Sequence, residues 1–230
     1  KHQMIKIEKI DPYGREELML LFFELSETIF DESGRGAILI ATAHIDDYLT
    51  KLIEASLPSK ISKADKNRLF KYPGVMSSFS SKIELSYAFR LIEKEIYDSL
   101  NALRKLRNDA AHSSAKFDLI QLNEKMKLVY GFDKFIYDFI QKMARDMITQ
   151  SKVSSMSKLY QENLSEEEAR KKAKEYVEQE ENQKIISEQL PHWELINDIC
   201  LICEILINKP KAVSEFFKDL QMDWLPLGAD

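Results

Sequence analysis

Two cysteines, six prolines and six glycines among 230 residues exclude several architectures at once. Cys200 and Cys203 cannot build a disulfide framework, so a reducing, cytoplasmic setting is the natural expectation. The shortage of glycine and proline leaves too few turn-formers for a many-stranded sandwich or barrel. Long apolar runs are missing as well. The stretches 37–45 and 199–207 are short and carry His44 and Glu204, far from the roughly 20 residues that a membrane span requires. The opening Lys1-His2-Gln3-Met4 shows no apolar segment of a secretory signal. Excess positive charge is absent too: the formal net charge is -5, which argues against a broad basic surface gripping duplex DNA by its phosphates.

What remains is a chain that is 44% apolar and 31% charged, patterned helix after helix. The expectation is an all-α protein. Leu18, Leu21, Phe22, Leu25 and Ile29 recur at helical spacing behind Asp11-Pro12, predicting a helix over 12–31. A second is predicted over 35–57, a short one over 65–71, and one capped by the serines 77–81. Leu100, Leu103, Leu106 and Ala110 predict a helix over 95–111. An aromatic-rich run predicts a single helix over 117–148, with Gly131 weakening but not ending it. The polar stretch 150–158 reads as a boundary between a helical domain, 12–150, and a helical C-terminal extension, 151–230. Segment 161–190 holds nine acids against five bases and opens on a capping box at Ser165 and Glu168. Pro191 is expected to end that helix, with further helices over 192–207 and 212–222. Trp193 and Trp224 are expected as core anchors or interface residues.

The chemistry concentrates in Arg107-Asn108-Asp109-Ala110-Ala111-His112. On a helix Asn108 and His112 share a face, Asp109 borders it, and Arg107 points about 100° from Asn108. An imidazole moves protons near neutral pH and a guanidinium holds a phosphoryl oxygen bidentately, so the pair suits RNA cleavage without a metal. The bland alternative has His112 favoured by the helix dipole and Arg107 paired with Asp46, Asp47 or Asp109. Asp46 and Asp47 are candidate orienting residues for Arg107. Asp109 either supports a protonated His112 or neutralises Arg107. Ser78, Ser80 and Lys82 form a candidate phosphate site, against the simpler reading of the serines as N-caps. Cys200 and Cys203 have redox-motif spacing but lie in an apolar run without a second pair, so buried thiols are expected; no metal or cofactor is implied.

The run Arg107, Asn108 and His112 at the end of an apolar helix resembles the signature of the HEPN superfamily. The ordered set Arg35-Gly36, Asp46-Asp47, Leu69-Phe70, Ser78-Phe79-Ser80, Lys82-Ile83, Tyr87, Leu91-Ile92 and the 107–112 motif is similar to the mannitol-operon repressor family, over roughly 18–150. One departure is Gly74-Val75-Met76-Ser77, where that family has a proline-leucine-glycine-like turn. The resemblance implies a HEPN-like helical bundle and two divergent roles. One is a metal-independent endoribonuclease of toxin or antiphage type, with Arg107, Asn108 and His112 catalytic in a cleft shared by two protomers. The other is a catalytically silent transcriptional regulator or partner-binding protein. The first implies RNA, a homodimer and a protein partner or antitoxin. Neither implies tight sequence-specific binding of duplex DNA, and no recognition helix is visible.

Overall fold

The computed structural model describes residues 15–58, 60–112, 117–130, 134–159 and 165–219. All regular structure in them is helical: α1 (Arg15–Ile29), α2 (Gly34–Ala55), α3 (Lys63–Phe70), α4 (Phe79–Ala88), α5 (Lys94–His112), α6 (Asn123–Tyr130), α7 (Lys134–Leu159), α8 (Glu166–Glu178) and α9 (Gln183–Asp219), with one 3-10 turn at Glu180–Asn182. No strand occurs among the described residues, and the fold is all-α. None of the described helices is long and apolar enough to cross a membrane. Asp11-Pro12, Ser113-Ser114, Met222 and Trp224 lie outside the described residues.

Serine caps α2, α4 and α8, the last two where the sequence marks it. Ser33 accepts from the Gly36 amide at 3.2 Å to cap α2, and Ser78 accepts from Ser81 at 3.1 Å to cap α4. At α8 the full capping box forms, with Glu168 Oε2 accepting from the Ser165 amide at 2.9 Å. That bond and the Ser165 hydroxyl hold the Glu168 carboxyl below its ordinary range.

One contiguous core joins α1, α2, α4, α5, α6, α7 and α9. In α2 the buried stripe is Ala37, Ile38, Ala41, Ile45, Leu49 and Leu52; in α5 it is Ile96, Leu100, Leu103, Leu106 and Ala110. Burying each large side chain of this kind contributes about 1.5 to 3 kcal/mol, which fixes the rotation of α5 about its axis. Helix α9 comes from the segment expected as an extension, yet Leu195, Ile196, Ile199, Ile202 and Leu206 enter this same core. Trp193 meets Phe22 with ring centroids 6.1 Å apart and Phe30 at 5.3 Å, the anchoring expected of it.

Three segments depart from their predicted boundaries. Of the helix expected over 117–148, residues 117–122 fold outside any helix and the described remainder lies in α6 and α7; Gly131 lies outside the described residues. Asp118 Oδ1 accepts from the Ile120 amide at 3.0 Å, and this local bond competes with helix formation. The boundary expected at 150–158 falls inside α7, which runs to Leu159; Lys152 sits 4.8 Å over the Tyr176 ring and ties α7 to α8. Pro191 and Pro210, expected to separate helices, both lie within α9. An interior proline costs about 3 kcal/mol, and residues 194–199, all buried, supply enough packing against neighbouring helices to outweigh it at Pro191.

Candidate functional site

Helix α5 carries the candidate site at its C-terminal end. Arg107, Asp109 and His112 are exposed and Asn108 is half-buried, while Leu103, Leu106 and Ala110 hold the opposite side in the core. The structure brings Arg107 and Asn108 together, with the guanidinium donating to Asn108 Oδ1 at 3.2 Å. It does not bring Arg107 to His112. Five residues separate them, which is about 140° around a helix, so the two side chains leave α5 on different sides. Neither makes an ion pair with another described residue.

The carboxylates divide between other partners. Asp109 Oδ2 accepts from Lys125 Nζ at 2.7 Å, tying α5 to α6. Asp46 accepts from Lys82 Nζ at 2.8 Å, and its backbone oxygen accepts from Thr50 at 2.8 Å; the structure thus brings Asp46 to Lys82 and not to Arg107. Asp47 is exposed, and its side chain makes no hydrogen bond or ion pair to a described residue. The same pair bears on the phosphate candidates. Lys82 is buried and turned inward from α4, and the Ser78 hydroxyl is engaged by the Ser81 amide and by the Ser81 hydroxyl at 2.7 Å. Ser80 is half-buried beside them. Capping and an internal ion pair account for Ser78 and Lys82 without a ligand.

Sequence reasoning quoted Arg35 but gave it no part in the site. Its guanidinium donates to the Ala110 carbonyl, two residues before His112, and lies 5.6 Å from the centre of the Phe117 ring. Asp198 was missed altogether. It is fully buried in α9 with neither carboxylate oxygen hydrogen-bonded, and burial raises its pKa well above the ordinary value. Its signal was an acid inside the apolar run 195–203. Two residues on, Cys200 is pushed up to about 12 by burial, with Asp198 and Glu204 adding to it, and Cys203 is buried. Neither cysteine forms a disulfide among the described residues. Among the described residues no three of His, Cys, Asp or Glu are grouped to hold a metal ion.

No family model, curated protein or solved structure matches the chain. The functional reading therefore stands on the residues themselves.

Proposed function

We propose that the protein is a HEPN-type, metal-independent endoribonuclease whose site is completed by two copies of α5. The observation that carries this reading is the exposed last turn of α5, where Arg107, Asn108 and His112 stand outside every ion pair among the described residues. Cleaving RNA through its own 2'-hydroxyl needs a base for that proton, an acid for the 5'-oxygen and positive charge on the phosphorane between them. His112 takes the role of base or acid and its counterpart from a second copy the other. Arg107 clamps the phosphate, and Asn108, already bonded to Arg107, holds the guanidinium or a non-bridging oxygen. Proton transfer by a placed histidine supplies about 10² to 10⁴-fold, and preorganised donors about 10² to 10³ each.

The test is incubation of the purified protein with a cellular RNA pool in EDTA. Cyclic-phosphate ends should form, and His112→Ala and Arg107→Ala should abolish them at unchanged fold. Intact RNA, with and without candidate partner proteins, would sink the reading. One observation favours a second reading, a catalytically silent regulator or partner-binding protein of the mannitol-repressor type: within one chain Arg107 is hydrogen-bonded to Asn108 and makes no ion pair or hydrogen bond to His112. Under it the chain acts through a protein partner, and the same assay yields no cleavage.

A further inference from the structure

We propose that Arg35 is a positioning residue for His112, through its joint hold on the Ala110 carbonyl at the end of α5 and on the Phe117 ring. The role rests on reading His112 as a reacting group, but its physical basis does not. The last four carbonyls of an α-helix lack intrahelical N–H partners, and Ala110 contributes one of them. A guanidinium donating there makes a charge-assisted hydrogen bond at the negative end of the helix dipole. Its planar fork also faces the Phe117 ring, so one side chain from α2 binds the chain both before and after His112.

Close packing supports the hold. A Cβ on Gly34 would stand 3.1 Å from the Phe117 carbonyl oxygen and from Leu119, so the start of α2 and the segment 117–119 are already in contact beside Arg35. Leu119 is buried there. The other tether of this turn, Lys125 to Asp109, joins two side chains that are half exposed, where water and salt weaken it. The His112 side chain is exposed and makes no hydrogen bond to a described residue. Its position is thus set by its backbone, and Arg35 fixes that backbone two residues away.

The experiment uses the full chain and reads His112 directly. Amide hydrogen exchange and the His112 ring resonances are followed by NMR in wild type, Arg35→Ala, Arg35→Lys and Phe117→Leu. Losing a charge-assisted bond to the carbonyl should cut protection of the 109–112 amides by about tenfold in Arg35→Ala, while 100–106 stay protected. The His112 ring signals should move toward those of an unstructured peptide. Arg35→Lys keeps a donor without the planar fork and should recover part of both effects. Phe117→Leu should give a smaller loss of the same sign. In the cleavage assay Arg35→Ala should lower kcat about tenfold with KM little changed, as misplacement of a reacting group does. Unchanged amide protection and ring signals in a folded Arg35→Ala would overturn the proposal. If Arg35→Ala does not fold, unchanged protection in both Arg35→Lys and Phe117→Leu overturns it. Wild type that never cleaves RNA, together with the NMR response, leaves the positioning intact and removes the nuclease reading instead.

Discussion

The ion pair between Asp46 and Lys82 offers a sharp energetic test, because its two ends see water differently. The atoms are 2.8 Å apart, yet the Lys82 side chain is 9% exposed and that of Asp46 31%. Removing the carboxylate in Asp46→Ala strands an ammonium that water can scarcely reach. Breaking a fully buried pair in this way costs about 3 to 5 kcal/mol; the partial exposure of Asp46 lets water replace some of the lost contact, and we expect about 2 to 3 kcal/mol. Lys82→Met keeps the packing of the stem and leaves Asp46 with its own hydration, so it should cost about 1 kcal/mol or less. The double variant removes the stranded charge and should be more stable than Asp46→Ala alone.

Urea titration monitored by circular dichroism measures all four forms, with the coupling taken from the double-mutant cycle. In a chain of this size the Asp46→Ala loss corresponds to a shift of the thermal midpoint of about 4 to 12 °C, read in a parallel melt. Two results would refute the reasoning. One is Lys82→Met costing as much as Asp46→Ala, which would make the lysine rather than its burial decisive. The other is Lys82→Met weakening phosphate or RNA binding at unchanged stability, which would restore Lys82 to the phosphate-binding role that its neighbours Ser78 and Ser80 suggested.

Asp198→Asn should stabilise the protein near neutral pH and have little effect near pH 4. Burial raises the folded-state pKa of Asp198, so the folded form holds its proton while the unfolded chain loses it, and the penalty grows as pH rises above the ordinary carboxyl range. Urea midpoints across pH 4 to 8 test this, and a variant with the wild-type slope would refute it. Cys200, pushed up to about 12, should react with iodoacetamide at pH 8 about a thousandfold more slowly than an ordinary thiol; rapid labelling of the native protein would contradict the burial argument. Gel shifts should show no tight, competitor-resistant complex with duplex DNA at physiological salt, and a specific nanomolar complex would bring the regulator reading to first place.

The parts of the fold legible in the sequence are those decided locally. Ser78 and Ser165 cap helices because a hydroxyl three residues before a free amide is a short-range match, and the stripes from Ile38 to Leu52 and from Ile96 to Ala110 follow from the helical period. What failed was decided by distant packing. Pro191 looks like a terminus until the helix around it is seen buried against α1, α2 and α7, and Asp118 accepts from the Ile120 amide in a segment whose pattern reads as helical. The site shows the same division. Its residues could be named from one hexapeptide, but the anchor of that hexapeptide lies 75 positions away in Arg35, and the partner of Asp46 lies on another helix. No periodicity encodes such pairs.

The geometry of α5 also sets how its chemistry must be assembled. Leu100, Leu103 and Leu106 are buried, Arg35 holds Ala110 and Lys125 holds Asp109, so α5 is fixed in place, and the positions of Arg107 and His112 on it stay about 140° apart. A single chain presents one imidazole and, on another side, one guanidinium. Acid and base on one phosphate then require a second copy, and a two-fold axis provides each group twice without new sequence. Under the nuclease reading the expected active form is therefore a homodimer or higher even assembly, and mixing experiments test it. If wild type and His112→Ala exchange subunits fully at equal amounts, about one quarter of dimers carry two wild-type histidines, so activity per wild-type chain should fall by about half. A nuclease working as single chains would keep all of its activity per wild-type chain. Light scattering that shows a monomer at tens of micromolar, alongside undiminished activity in the mixture, would refute the shared site.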